Sequence, residues 1–265
     1  MIPKKLRVAT IQAIQKHAEE AYPNECCGVV IVNDKVQTYV PCENIAKDPL
    51  TQFKISPVDF CNAEDLGEVV GIVHSHPDGN AIASAHDIAA MSVNRSIELE
   101  LDPNSKATPW HIVSWPNWDY KQYTPAVHKS LLGRQFIHGL WDCWGACSEY
   151  FKRYHNLSFP KFDREDCWWE DKDHESLYEK NFESAGFYKV NDLRPGDMVV
   201  MQIGKSYHPN HAGIYLGDVE SFEGETVRGG PFMFHHLYGR KSEICVFGGQ
   251  WEQRTRMILR HKEIV

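Results

Sequence analysis

The run His74-Ser-His76-Pro-Asp-Gly-Asn-Ala-Ile-Ala-Ser84-Ala-His-Asp87 gathers two imidazoles and a carboxylate within a short stretch of chain. The largely apolar residues from Val69 onward read as a central strand reaching His76. Side chains alternate along a strand, so His74 and His76 face the same way. Ser84 suits the N-cap of a following helix expected to reach about Asn94, and Ser84 and Asp87, three apart, share one face of it. The glycine-containing connection lets that helix start fold back over the strand end. His74, His76 and Asp87 then converge and leave a fourth tetrahedral position to water, the open geometry of a catalytic Zn2+ rather than a closed structural one. Hydrolysis there also needs a base for the water's proton and a donor for the developing oxyanion. His86 falls on another helix face and reads as a non-ligand.

A second set of reactive groups lies further along. Asp142-Cys143-Trp-Gly-Ala-Cys147 places Cys143 in the first turn of a helix reaching His155, with Asp142 as its N-cap. Helix N-terminal amides and the macrodipole favour a thiolate, which is the nucleophilic form. Cys147, one turn deeper, reads as a packing residue. A cysteine nucleophile needs an imidazole to take its proton and pass one to the leaving amine, and His211 opens a strand running to Leu216. A third polar group would orient that ring. Phe234-His235-His236 offers two, with His235 the better candidate and His236 the alternative.

The pattern HxH, seven residues, then SxxD resembles the signature of the JAMM (Mov34/MPN/JAB) metallopeptidases, and Asn24-Glu25-Cys26-Cys27-Gly28 stands where that family has an upstream glutamate. The resemblance implies Glu25 as general base, Ser84 as oxyanion donor, and His74, His76 and Asp87 as Zn2+ ligands. Asp142-Cys143-Trp-Gly, Arg194-Pro-Gly-Asp197 and His211-Ala-Gly-Ile-Tyr-Leu-Gly217 resemble the NlpC/P60 cysteine peptidases. That resemblance implies a papain-like domain with Cys143, His211 and His235 as its catalytic residues. In that family the third residue follows the histidine more closely, so residues 217–230 must be an insertion. A JAMM module followed by an NlpC/P60 module over nearly the whole chain, together with Leu132–Phe136 and Phe234–Arg240, resembles the tail assembly protein K family of tailed phages. The resemblance implies a peptidase made in the host cytoplasm and carried in the virion tail to the host cell wall. Its partners would be phage tail-tip proteins. Its cysteine domain would cut peptidoglycan stem peptides during genome entry, and its zinc domain would act as an (iso)peptidase on a tail protein. The rival expectation is a structural docking component of the tail with one or both sites silent.

These groups must be held by a scaffold, which reads as α+β in both halves. A helix is expected over 5–21, a hairpin from Gly28–Val32 and Val36–Val40 around Asn33-Asp34-Lys35, a short strand at Gln52–Ile55 and a helix from Pro57 to Glu64. Trp110–Trp115 supplies another strand. Residues 123–130 have no period and contain Pro125, so the expected plan is a JAMM-type domain over 1–123, a linker over 124–131 and a papain-like domain over 132–265. In the second half, 160–181 reads as a long surface excursion, Arg194–Asp197 as a turn into a strand Met198–Ile203, and 217–230 as a loop. Met233–Leu237 and Ile244–Phe247 are expected to be the last strands.

Of the 265 residues, 42% are hydrophobic and 12% aromatic, which suits a packed chain. Residues 1–123 carry 10 Lys+Arg against 16 Asp+Glu, and the remainder 18 against 20. Neither half has the basic excess that nucleic-acid binding requires. No stretch approaches the roughly 20 apolar residues of a membrane span, so no membrane insertion is expected, and the first residues lack the apolar core of a signal peptide. The eight cysteines include no CxxC pair, and most read as free buried thiols.

Overall fold

The computed structural model describes residues 5–160, 162 and 164–264. Residues 1–4, the head of the stretch read as lacking a leader, residues 161 and 163 of the 160–181 excursion, and residue 265 lie outside the described residues. The chain divides into two compact units, Met1–Val127 and His128–Val265. Both mix helix and sheet, so the α+β expectation holds.

In the first unit the elements run α1 (Val8–Ala21), β1 (Cys27–Asn33), β2 (Val36–Cys42), α2 (Pro57–Leu66), β3 (Glu68–Pro77), α3 (Ala85–Leu101), β4 (Trp110–Trp115) and β5 (Tyr120–Tyr123). The sheet order is β2-β1-β3-β4-β5. Only the β3–β4 pair is parallel, and α3 is the crossover that a parallel pair requires. Ile14 and Ala18 of α1 pack on one sheet face with Val30, Val70, Val73 and Val113. The opposite face packs Val29 and Ile31 with Ala63 of α2, and Ile72 and Trp110 with Met91 of α3. The helix α3 therefore lies on the side toward which His74 points.

Two local expectations are corrected here. Gln52–Ile55 is not a strand: Ile55 makes only an isolated bridge to Asn44. The Asn44 side chain replaces a partner strand, donating to the Gln52 carbonyl at 3.0 Å and accepting from the Lys54 amide at 3.0 Å. The helix opened by Ser84 continues past Asn94 to Leu101, since nothing in 95–101 breaks it and Pro103 lies just beyond. The strand β5 escaped the sequence reading because it is an exposed edge strand with no apolar alternation.

The second unit contains α4 (Cys143–His155), a 3-10 turn (Trp168–Glu170), α5 (Leu177–Asn181), β6 (Phe187–Val190), β7 (Met198–Met201), β8 (His211–Gly217), β9 (Ser221–Phe222), β10 (Glu225–Thr226), β11 (Phe232–His235), β12 (Glu243–Val246), α6 (Gln250–Arg254) and β13 (Thr255–His261). Its six-stranded sheet has the order β12-β11-β8-β7-β13-β6, antiparallel throughout. Ala146, Cys147, Tyr150 and Phe151 of α4 pack against Met198, Ala212, Ile214 and Phe234 on one face. The other face closes over Met201, Met233 and Phe247.

The last strand is β13, not the segment at Ile244–Phe247, and it lies between β7 and β6. Its charged residues disguised it. Arg260 is nevertheless buried, because its guanidinium donates twice to the Asp197 carboxylate, at 2.7 and 2.8 Å. Asp197 also accepts from the Arg194 amide at 2.7 Å, which explains the Arg-Pro-Gly-Asp turn. Residues 217–230 form a loop apart from the two-residue strands β9 and β10.

Candidate functional site

In the first unit, β1 pairs with β3 so that Cys27 opposes His74, which brings the residue before Cys26 alongside the HxH segment. Ser75 fixes this edge: its hydroxyl accepts from the Cys26 amide at 2.8 Å, and its amide donates to the Cys26 carbonyl at 3.0 Å. The first turn of α3 delivers Asp87. His74 Nε2 lies 3.2 Å from Asp87 Oδ1, His76 Nε2 lies 3.3 Å from Asp87 Oδ2, and the two Nε2 atoms are 3.1 Å apart. All three potential ligand atoms lie within 4.8 Å of one another, and His86 stays outside this cluster.

The donor set fits a divalent cation of the zinc type. His76 Nδ1 is 2.8 Å from the Asn80 carbonyl, so it carries a hydrogen there and turns Nε2 to Asp87, to hold either a shared proton or a metal. A divalent cation among these three atoms would take the place of the protons they share. His74 Nδ1 has no hydrogen-bond partner among the described residues, and its ring is held instead by Phe53, stacked at 4.3 Å, and the edge of Trp110 at 5.9 Å.

Charge at this site follows burial and pairing. Burial would raise the Asp87 carboxyl, but hydrogen bonds from His74, His76 and Ser84 carry it well below the ordinary carboxylate range. Burial lowers His74. Burial also works against the charged form of His76, yet Asp87 and the Asn80 carbonyl raise it on balance. Glu25 is buried, and the loss of water pushes its carboxyl up to about 8, against the pull of His76. Ser84 is the N-cap: its hydroxyl accepts from the Asp87 amide at 3.1 Å and donates to Asp87 Oδ2 at 2.8 Å. In this arrangement its hydrogen is committed to Asp87.

In the second unit Cys143 is the first residue of α4, beside a cleft of about 850 Å3, counting space open to solvent. His211, Arg164, Trp168, Tyr178 and Tyr238 also line it. The Cys143 sulfur lies 3.3 Å from the Tyr178 hydroxyl and 4.0 Å from the Asn210 carbonyl. His211 Nε2 lies 2.9 Å from His235 Nδ1, so His211 Nδ1 is the ring nitrogen that His235 does not engage, and His211 and Cys143 line the same cleft. His236 turns away: its Nε2 faces the Arg240 carbonyl at 3.1 Å, and its ring meets Phe136. The structure thus brings His235, and not His236, against His211. Gly213 permits this approach, since a Cβ there would lie 2.7 Å from the Met233 sulfur.

The thiolate expectation meets a counterweight. Burial pushes the Cys143 thiol up, and the neighbouring Asp142 carboxylate adds to the rise. Asp142 also uses the first-turn amide that could have served the sulfur, accepting from Gly145 at 2.8 Å. Arg164 answers part of that charge by donating to Asp142 at 2.7 Å. Burial lowers His211, with His235 and His236 contributing, and lowers His235 to about 4. Two groups at this site, Tyr178 and Arg164, were missed by sequence reasoning. Both come from the excursion after α4, whose aromatic content was its only signal.

Residues 7–121 match the family model described as prokaryotic homologs of the JAB domain, and residues 133–260 match the NlpC/P60 family. The chain is similar to tail tip assembly protein K of Escherichia phage N15, with 36% identity over 260 residues, covering 98% of this chain and 97% of that protein. It is 32% identical over 217 residues to tail tip assembly protein K of Escherichia phage lambda, covering 78% of this chain and 89% of the relative. A desampylase of Haloferax volcanii is 26% identical over 127 residues, covering 43% of this chain and 89% of its own length.

Proposed function

Because this chain belongs to the tail tip assembly protein K family, we propose that it is a two-site tail peptidase acting through phage tail-tip partners. The C-terminal unit cleaves stem peptides of host peptidoglycan during genome entry. The N-terminal unit is a zinc-dependent (iso)peptidase that processes a tail protein. The observation that carries the reading is the contact of His211 Nε2 with His235 Nδ1 at 2.9 Å, beside the cleft that Cys143 lines.

In the cysteine site the Cys143 proton passes to His211 Nδ1 while the sulfur attacks the scissile carbonyl carbon. His211 then gives that proton to the leaving amine, and His235 keeps the ring in the tautomer that can do so. Water, activated by the same imidazole, releases the acyl fragment and frees the sulfur. The aromatic wall from Trp168 and Tyr178 excludes bulk water from these steps. In the first unit His74, His76 and Asp87 would hold Zn2+, which polarises a carbonyl and acidifies water when bound. Glu25 would take the water's proton, and Ser84 would turn its hydroxyl toward the oxyanion. A buried carboxyl held near neutrality suits such transfer.

Digestion of purified Gram-negative peptidoglycan, followed by mass spectrometry, tests this. Wild type and His74→Ala/His76→Ala release stem peptides, and Cys143→Ala does not. The raised thiol and the Tyr178 contact favour a second reading, a docking component of the tail whose cysteine site is silent. No release by wild type would put that reading first.

A further inference from the structure

His235 has polar neighbours on both sides. Its Nδ1 meets His211, while its Nε2 lies 3.4 Å from the Cys245 sulfur and 3.7 Å from Glu243 Oε1. The residue is completely buried, so a hydrogen on either nitrogen must find an acceptor. If His211 offers Nδ1 to the thiol, its hydrogen sits on Nε2 and is donated to a bare His235 Nδ1. The hydrogen of His235 is then on Nε2, facing Cys245 and Glu243. A thiol is a weak acceptor and a carboxylate a strong one.

We propose that Glu243 is a positioning residue of the cysteine site, its carboxylate closing the chain Cys143–His211–His235. This rests on the reading of that trio given under Proposed function. Glu243 fixes the tautomers of both rings and offsets the positive charge they acquire on accepting the Cys143 proton. That proton moves from sulfur to His211 Nδ1. The hydrogens on His211 Nε2 and His235 Nε2 stay in place, so none is lost or gained. The ladder builds this in, because the β11–β12 register sets Glu243 directly opposite His235. Trp251 of α6 packs on the pair, 4.8 Å from His235 and 6.4 Å from His211, with the Arg254 guanidinium over the Trp251 ring at 6.0 Å. The other titratable groups around the pair are Cys143 and Tyr178, which line the cleft with His211, Cys245 beside His235, and His236, whose ring is turned to Arg240. Among the described residues Glu243 is the one carboxylate within ion-pair range of His235.

The test is the pH dependence of Cys143 alkylation by iodoacetamide in the full chain, read by mass spectrometry of the Cys143 peptide. Glu243→Gln moves the alkylation midpoint up by at most about one pH unit, since the lost charge acts on His235 and reaches Cys143 only through the two rings. Glu243→Asp restores most of the shift. Glu243 is half exposed, so both variants fold, and a merely structural role would change the thermal midpoint but not the alkylation midpoint. An unchanged midpoint in Glu243→Gln, with His211→Asn slowing alkylation, overturns the role of Glu243 and leaves the trio standing. Alkylation indifferent to His211→Asn overturns the trio itself, and this inference with it.

Discussion

At the scale of single residues, the spacing of His74, His76 and Asp87 was enough to foresee their convergence, because strand and helix periods are rigid. It could not reveal what holds the rings. Phe53 sits in a segment without regular structure, and its stacking on His74 depends on Asn44 acting in place of a strand. Phe53→Ala keeps all three candidate ligands, so it is expected to weaken zinc binding by about tenfold, as loss of an outer support typically does. Titration with a fluorescent zinc chelator measures this, and unchanged affinity would show the ring to be incidental. His235 was the better candidate on sequence and His236 the alternative. Which ring faces His211 depends on side-chain direction at the end of β11, where His235 meets His211 and His236 faces the Arg240 carbonyl. The thiolate expectation weighed the helix amides but not the Asp142 carboxylate that competes for them.

At the scale of elements, long periodic segments such as α1, α4 and β3 were legible, and short or charge-bearing strands were not. The strand β13 hides Arg260 by pairing it with Asp197, a partner distant in sequence. The strands β8 and β11, with the residue that follows β11, bury His211, His235 and His236 as neutral rings, with burial lowering all three and holding the last two at about 4. An unfolded imidazole titrates near 6.5. Between about 4 and 6.5 the unfolded chain therefore binds more protons, so stability rises with pH across that window and levels off above it. Calorimetry should show the transition that is insensitive to chelator moving down as pH drops from 6.5 toward 4. A transition that holds steady between 6.5 and 5 would mean these rings are not kept neutral.

At the scale of the whole molecule, two unlike sets of reactive side chains share one chain. A chelator is expected to abolish cleavage of the tail-protein substrate while sparing peptidoglycan cleavage, and iodoacetamide to do the reverse. Loss of both activities to chelator alone, in a paired assay of the same preparation, would contradict separate sites. The order β12-β11-β8-β7-β13-β6 also bears on timing during synthesis. The strand β13 is made after every other strand, yet its place is inside the sheet, and until it arrives β7 and β6 have no common neighbour. A growing chain therefore carries His211 and His235 on an unfinished sheet, and the surroundings of Cys143 are complete only after translation has passed the final strand.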